Sequence, residues 1–496
     1  MSIYYSIPLF CIVACLVCSA LSAALGAKAS RRLSLALCAV VCVSCLYLSL
    51  LLHGSGTAVE FKMGHYPAPW GNEIAFGPLE PLLAAAFALV MFLSLLGGRE
   101  QLEADIDEKF RHFYYVMCDL VLVSMLALSM TYDAFTGYVF VEICTISSCG
   151  LLMVRRSCRS TLASLRYMIF SLLGSGLFLL GVILLYDITG HLLMPNMRES
   201  ILCLYESGEY RFSLMMSICL ISVGLGIKSG LFPFHLWMRD TYAYATPPSS
   251  AILSGVVSKG YIILLIKFIS QVFTPAVFDA SGADNILFVL GLSGMLFGSL
   301  SAMKENSISR MTAYSSAAQI GYVYMGIGLA SPLGMTAAVF HILCHSVTKS
   351  ALFLSGGELV RASDGEQEFY RLQGAARRAP LAAFVFAVGA LSMTGIPGTG
   401  GFISKYLFAL AGLENSRKAL SALFMLAVST ILNAAYFLRT VMRLYAPLPE
   451  GESDEKTNCG LSFAVSAAAF VAANLLLGFA SGGLRELLEQ GLALMK

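Results

Sequence analysis

Apolar runs of about 20 residues recur from one end of this 496-residue chain to the other. A helix of that length crosses ~30 Å of hydrocarbon, where the backbone must satisfy its own hydrogen bonds. A chain built of such runs folds as a bundle of membrane-spanning helices. Only 12% of its residues are charged, against about 25% in a soluble domain. The expected fold class is an all-α integral membrane protein.

Fourteen spans are expected, over 7–27, 33–53, 78–97, 113–131, 134–154, 163–186, 212–232, 249–272, 284–303, 309–330, 334–360, 380–412, 419–445 and 460–483. The first reads as a retained span rather than a signal peptide: Lys28, Arg31 and Arg32 follow it, with no convincing cleavage site. With the N-terminus outside, 20 of the 32 basic residues fall in inside loops, Lys456 among them. Seven fall outside, Lys496 among them. That is the bias of the positive-inside rule. An even count then puts both termini outside, in a cell (inner) membrane.

The net charge of +2 points to no nucleic-acid partner. The 14 cysteines sit almost all in apolar runs such as "CIVACLVC", where cysteine acts as a small hydrophobe. No pair has the polar-loop spacing of a zinc or iron–sulfur site. No cofactor motif is read, so any electron chemistry belongs to other chains.

Five basic residues remain, Lys228, Lys259, Lys267, Lys349 and Lys405, all within spans. A lysine at mid-membrane costs about 2.5–3.5 kcal/mol, so it faces a bundle interior or a water-filled path. Lys267 is near the end of its span and is expected to snorkel to the interface. Lys228 precedes Gly230 and Pro233, which suggest a helix broken inside the membrane, as at transport sites. Glu142, mid-span in "FVEICTISS", has Lys228 as its natural partner. The two form either a packing ion pair or a switchable one in which the carboxylate loads and unloads the lysine. Lys259 follows among Ser254, Gly255, Ser258 and Gly260, which leave room for water or close helix packing.

In "HILCHSVTKS", His341, His345 and Lys349 stand at i, i+4, i+8 on one helix face. Imidazoles titrate near neutrality and suit proton relay. A zinc site and a merely polar face are the alternatives; Ile342 stands where a zinc protease has glutamate. Gly395, Pro397, Gly398, Gly400 and Gly401 break a second span, with Lys405 just beyond. Two broken spans, each with a lysine, suggest a repeat-built transporter with one site per half. The expected organisation is an N-terminal three-helix segment (1–111), helices 4–8 (112–272), helices 9–13 (284–445), and a final helix and C-terminus (446–496). Asp119, mid-span in "MCDLVLV", is unassigned.

Four stretches carry a resemblance: "FPFHLWMRDTYAYATPPSSAILSGVVSKGYIILL", "NSISRMTAYSSAAQIGYV", "HILCHSVTKSALFLSGG" and "GIPGTGGFISK". In that order they resemble the proton-conducting, antiporter-like membrane subunits of complex I, membrane-bound hydrogenases and Mrp-type sodium/proton antiporters, over about residues 60 to 445. The resemblance implies two inverted five-helix repeats with helices 7 and 12 broken. It implies a proton pathway of Glu142, Lys228, Lys259, His341, His345, Lys349 and Lys405, with Glu142 paired to Lys228 and Lys405 on the exit side. It implies other membrane subunits as partners, and protons with or without Na+ as cargo. Arg239–Asp240 departs from the family's Pro-Asp, Arg310 stands alone where a basic pair is usual, and no acidic residue follows Lys405. "FKMGHYPAPWGNEIAFGPLEPLLAAAF" is similar to the Mrp D-type chain and its hydrogenase relatives, and no long lateral helix is expected after the last span. The expected function is that of a proton-translocating, Mrp D-like subunit. A redox-driven pump subunit, a stand-alone secondary transporter and a purely structural subunit are the rivals.

Overall fold

A computed structural model describes residues 3–63, 66, 72–448, 457 and 459–495. Lys456, Lys496 and part of the 61–87 stretch lie outside the described residues. The expected spans appear as helices α1 (Ile7–Ala24), α2 (Ala27–Ser55), α3 (Leu79–Gly97), α4 (Arg111–Met130), α5 (Ala134–Met153) and α6 (Cys158–Thr189). Then come the broken α7 (Arg211–Ser229, resuming at Leu236–Tyr244), α8 (Pro247–Ala280), α9 (Ala283–Lys304), α10 (Ile308–Gly328) and α11 (Pro332–Arg361). A second broken helix, α12 (Pro380–Thr394, resuming at Gly400–Glu414), precedes α13 (Ala419–Leu444) and α14 (Leu461–Phe479).

Twelve helices among the described residues are long and apolar enough to cross a membrane unaided. The two exceptions are instructive. α10 is long but rich in Ser, Thr, Tyr and Gln, and nearly all of it is buried. α12 is split into two 15-residue pieces. The chain is thus an all-α, multi-pass membrane protein, with one small antiparallel hairpin, β1 (Val59–Lys62) paired with β2 (Glu73–Phe76), that hydropathy did not signal.

Small residues set the closest packing. A Cβ on Gly291 of α9 would meet the Met325 amide nitrogen of α10 at 2.5 Å, and one on Gly224 of α7 would meet the Gly174 carbonyl of α6 at 2.6 Å. With no hydrophobic drive between helices in lipid, such close approach is what dispersion packing requires. α8 and α11 form the centre: their most apolar stretches are wholly buried inside the protein.

Both breaks end alike. Gly230 and Gly395 take φ of +84° and +85°, and each amide caps the turn before it. The following amides, Leu231 and Ile396, reach back to Gly226 and Leu391. This is a glycine-terminated helix end, which a Cβ would strain. After the last span, α15 (Ser481–Leu494) lies across the ends of α3 and α11. Gly491 packs on Leu79, and Gln490 is hydrogen-bonded to His53 of α2. It is a 14-residue cap on these helix ends.

At the end with the basic loops, ion pairs tie one loop to the next. Arg155 meets Asp105 at 3.1 Å, Arg166 meets Asp240 at 2.7 Å and Arg239 meets Glu305 at 2.9 Å. Arg239 and Asp240, the departure noted in the sequence, are therefore both engaged within the chain.

Candidate functional site

The intramembrane cations lie in the middle of this bundle. Lys228, Lys259 and Lys349 are at most 1% exposed, and His341 and His345 at most 2%. Lys405 is half-buried.

Lys228 stands in the last turn of the first piece of α7, where the helix dipole favours a cation. Its ammonium donates to Thr145 Oγ1 of α5 at 2.5 Å and lies 5.2 Å from the centre of the Tyr261 ring. Glu142, half-buried one turn before Thr145, acts on Lys228 through its charge. Among the described residues the two make no ion pair within 4.0 Å. The threonine takes the contact expected of the carboxylate.

α8 is widened twice, into π-turns at Leu253–Val257 and Phe268–Phe273. π-turns release carbonyls from the regular ladder and cluster at functional sites. Lys259 uses the first: its ammonium donates to the Ser254 carbonyl, with Ser258 Oγ at 3.4 Å. Ser254 Oγ meets Ser316 Oγ of α10 at 2.9 Å, and Ser316 donates to the Thr312 carbonyl at 3.1 Å. The same carbonyl accepts from Lys349 of α11 at 3.0 Å, and Ser315 Oγ accepts from Lys349 at 2.7 Å. Two hydroxyls, of α8 and α10, thus lie between Lys259 and Lys349, and each lysine rests on a backbone carbonyl of the residues that flank them.

Along α11 the rings of His345 and His341 stack with centroids 5.9 Å apart, and Tyr322 stacks on His341 at 5.5 Å. His341 Nδ1 is 2.7 Å from Ser404 Oγ, next in sequence to Lys405. Lys405 donates to the carbonyls of Met393 and Thr394, at 3.0 and 2.9 Å. Those are the carbonyls that a helix end leaves unpaired. At both breaks a lysine thus serves the end of the first piece, from within it at α7 and from across the gap at α12. Among the described residues no three His, Cys, Asp or Glu side chains group as metal ligands.

Two sequence expectations change. Lys267 does not snorkel. It is fully buried, donates to the Ser129 carbonyl at the end of α4 at 2.9 Å, and feels the charge of buried Glu80 on α3. Its depth along α8 suggested the interface, but α8 is enclosed on every side. Asp119, unassigned in sequence, accepts from Ser22 of α1 at 3.2 Å and so ties α4 to the N-terminal helices. Ser254 was named beside Lys259 only as a small residue, and the partners Thr145, Ser316, Ser315 and Ser404 were missed. Serines and threonines are common in membrane helices, and only the crowding of "TAYSSAAQ" in α10 was a signal.

Residues 131–432 match the family described as NADH:quinone oxidoreductase/Mrp antiporter, transmembrane. The chain is 32% identical over 390 residues to the N-type chain of the NADH-quinone oxidoreductase of Desulforudis audaxviator, covering 79% of this chain and 76% of that one. It is 26% identical over 436 residues to the D-type chain of the Na(+)/H(+) antiporter of Bacillus subtilis, covering 86% and 84%. A chain in the structure of the Mrp complex from Dietzia sp. superposes with a TM-score of 0.88 at 23% identity, over 99% of this chain and 97% of that one. The fold is that of an antiporter-like membrane subunit. The chain belongs to the NADH:quinone oxidoreductase/Mrp antiporter transmembrane family.

Proposed function

We propose that this chain is a proton-translocating subunit of a multisubunit complex in the cell membrane, with both termini outside. The observation that carries the reading is the line of buried cations: Lys228, Lys259, Lys349, His345, His341 and Lys405, strung across the bundle on hydroxyls and helix ends. Protons enter near Lys228 from the inside, under the influence of Glu142. They pass to Lys259 and the α11 face and leave near Lys405. Helices α4–α8 and α9–α13 act as two inverted units, one broken helix in each.

Within that reading we place the chain as the D-type member of an Mrp-like cation/proton antiporter, with further membrane subunits as partners. The D-type relative from a Na(+)/H(+) antiporter and the fold shared with an Mrp complex support this. The identity to an N-type chain of NADH-quinone oxidoreductase supports the second reading, an antiporter-like subunit of a redox-driven pump. Mass spectrometry of a mild-detergent pull-down from the host separates the two. Small hydrophobic subunits without iron–sulfur proteins mean an antiporter; iron–sulfur, nickel or flavin subunits mean a redox pump. Replacing Lys228 and Lys259 by alanine tests the path itself. Wild-type translocation by both variants in normally assembled complexes would refute it.

A further inference from the structure

The polar strip on α13 is absorbed by none of the roles above. Ser429, Asn433 and Tyr436 share one face of α13, and Ser315, Gln319 and Tyr322 share one face of α10. The faces meet in antiparallel register. The hydroxyls of Ser315 and Tyr436 are 3.1 Å apart, and the Tyr436 hydroxyl donates to Asn433 Oδ1. Two turns further on, the Tyr322 hydroxyl lies beside Ser429, Thr430 and Asn433. That register sets Gln319 level with Asn433. All six side chains are at most 3% exposed, and none is charged.

The strip has a cation at each end. Lys349 donates to Ser315 Oγ at 2.7 Å, and the Lys405 ammonium lies 6.0 Å from the centre of the Tyr322 ring. It also has a direction. A tyrosine has one hydroxyl proton, and that of Tyr436 is engaged by Asn433. The Tyr436 hydroxyl reaches Ser315 Oγ as well, so the tyrosine proton has two seats; with that proton on Asn433, Ser315 turns its own proton to Tyr436 and its lone pairs to Lys349.

Among the described residues, several buried polar atoms here have no hydrogen-bond partner: both amide atoms of Gln319, Asn433 Nδ2, and Nε2 of His341 and of His345. Such groups are satisfied in native proteins by ordered water. Tyr322 stacks on His341 and faces Asn433 at once, so the histidines and the strip border a shared polar space.

We propose that α13 supplies a second, uncharged limb of the proton path, running beside the histidines from Lys349 to Lys405. This rests on the proton-path reading above. An N–H bond of Lys349 breaks as an O–H bond forms on Ser315. The former Ser315 proton passes to Tyr436, whose own hydroxyl bond turns from Asn433 Oδ1 to a water held by Asn433 and Gln319 and gives its proton to that water. The net change is one proton moved from lysine to water, and the hydroxyls then rotate back. Asn433 carries no proton; it is a positioning residue that orients the tyrosine and the water.

The test uses the native complex in everted host membrane vesicles, with proton translocation read by a ΔpH-sensitive dye and assembly by native gel. Four variants are compared: Tyr436→Phe, His341→Ala with His345→Ala, the three changes combined, and Lys349→Ala. Fluxes through parallel limbs add, so a limb carrying about a tenth of the flux predicts that Tyr436→Phe alone stays within about 20% of wild type and that the histidine pair costs about tenfold, while the combination costs about 100-fold or more, beyond the product of the two. The proposal is overturned if the combination equals the histidine pair alone, or if Tyr436→Phe alone stops translocation, which would make the tyrosine part of a single series path. Asn433→Leu, which keeps the tyrosine, provides the second readout. It should raise the hydrogen/deuterium isotope effect in the histidine-deficient background, and an unchanged isotope effect there also overturns the limb. If Lys349→Ala transports normally, the proton-path reading itself has failed, and not the limb alone.

Discussion

The ammonium of Lys405 lies 2.9 Å from the carbonyl oxygen of Thr394, the last residue before the α12 break. Its side chain crosses the gap between the two pieces of the helix and holds two carbonyls that, among the described residues, no amide reaches. Lys405→Met should therefore do two things. It should stop translocation, and it should lower the stability of the assembled complex by about 1–3 kcal/mol for each carbonyl left buried and unpaired. Lys405→Arg keeps a donor and should recover the stability more than the transport. Thermal unfolding of the purified complex, read beside vesicle acidification, checks this. A Met variant as stable as the wild type would show that the lysine does not hold the break.

Gly230 and Gly395 are matched in backbone but not in surroundings. An alanine at either costs about 1–2 kcal/mol for the left-handed conformation. At Gly230 the new Cβ would press on the sulfur of Met238, which can move. At Gly395 it would press on the Lys405 side chain at 2.9 Å. Gly395→Ala should lose transport well beyond its loss of stability, whereas Gly230→Ala should lose the two together. Equal behaviour of the pair in the same two assays would count against a working role for Lys405.

Thr145 holds Lys228 with a hydroxyl, and valine has its shape without it. Thr145→Val should slow proton translocation about tenfold, or about 1.4 kcal/mol, with Thr145→Ser close to wild type. Initial rates of vesicle acidification at equal complex content decide this. A serine variant as slow as the valine one would mean that the methyl, and hence packing, is what matters.

Helix contacts give a prediction independent of any proton. Gly291→Leu would drive a side chain into the α10 backbone, which cannot yield as a flexible side chain does. The protein should be absent from membranes or fail to assemble. Gly54→Ala, with nothing within 4 Å of the added carbon, should accumulate normally. Immunoblots of washed membranes are enough to compare them.

What could be read from the chain follows from energetic cost. A lysine in hydrocarbon is so unfavourable that Lys228, Lys259, Lys349 and Lys405 announce a shared interior, and Gly230 and Gly395 mark the breaks because few residues tolerate positive φ. Hydroxyl partners carry no such cost. Thr145, Ser254 and Ser316 look like Ser147 or Ser171, and Ser147 satisfies itself on its own helix. Ser171 is buried like them. Lys267 departs from expectation because distance along a helix says nothing about what surrounds that helix. The strip on α13 was invisible for a related reason. Asn433 and Tyr436 gain meaning only when α10 is laid against them.

Two lysines of the central line, Lys259 and Lys349, rest on the backbone carbonyls of Ser254 and Thr312. A carbonyl accepts a hydrogen bond but is too weak a base to take the proton itself. Lys349 also reaches the Ser315 hydroxyl, whereas Lys259 rests chiefly on its carbonyl. On the proton-path reading Lys259 is therefore the open switch of the circuit: its charge is parked on an insulator, and current passes only when the side chain swings to a neighbour that can relay a proton. On that reading a membrane threaded by such a line keeps its voltage while the protein is idle.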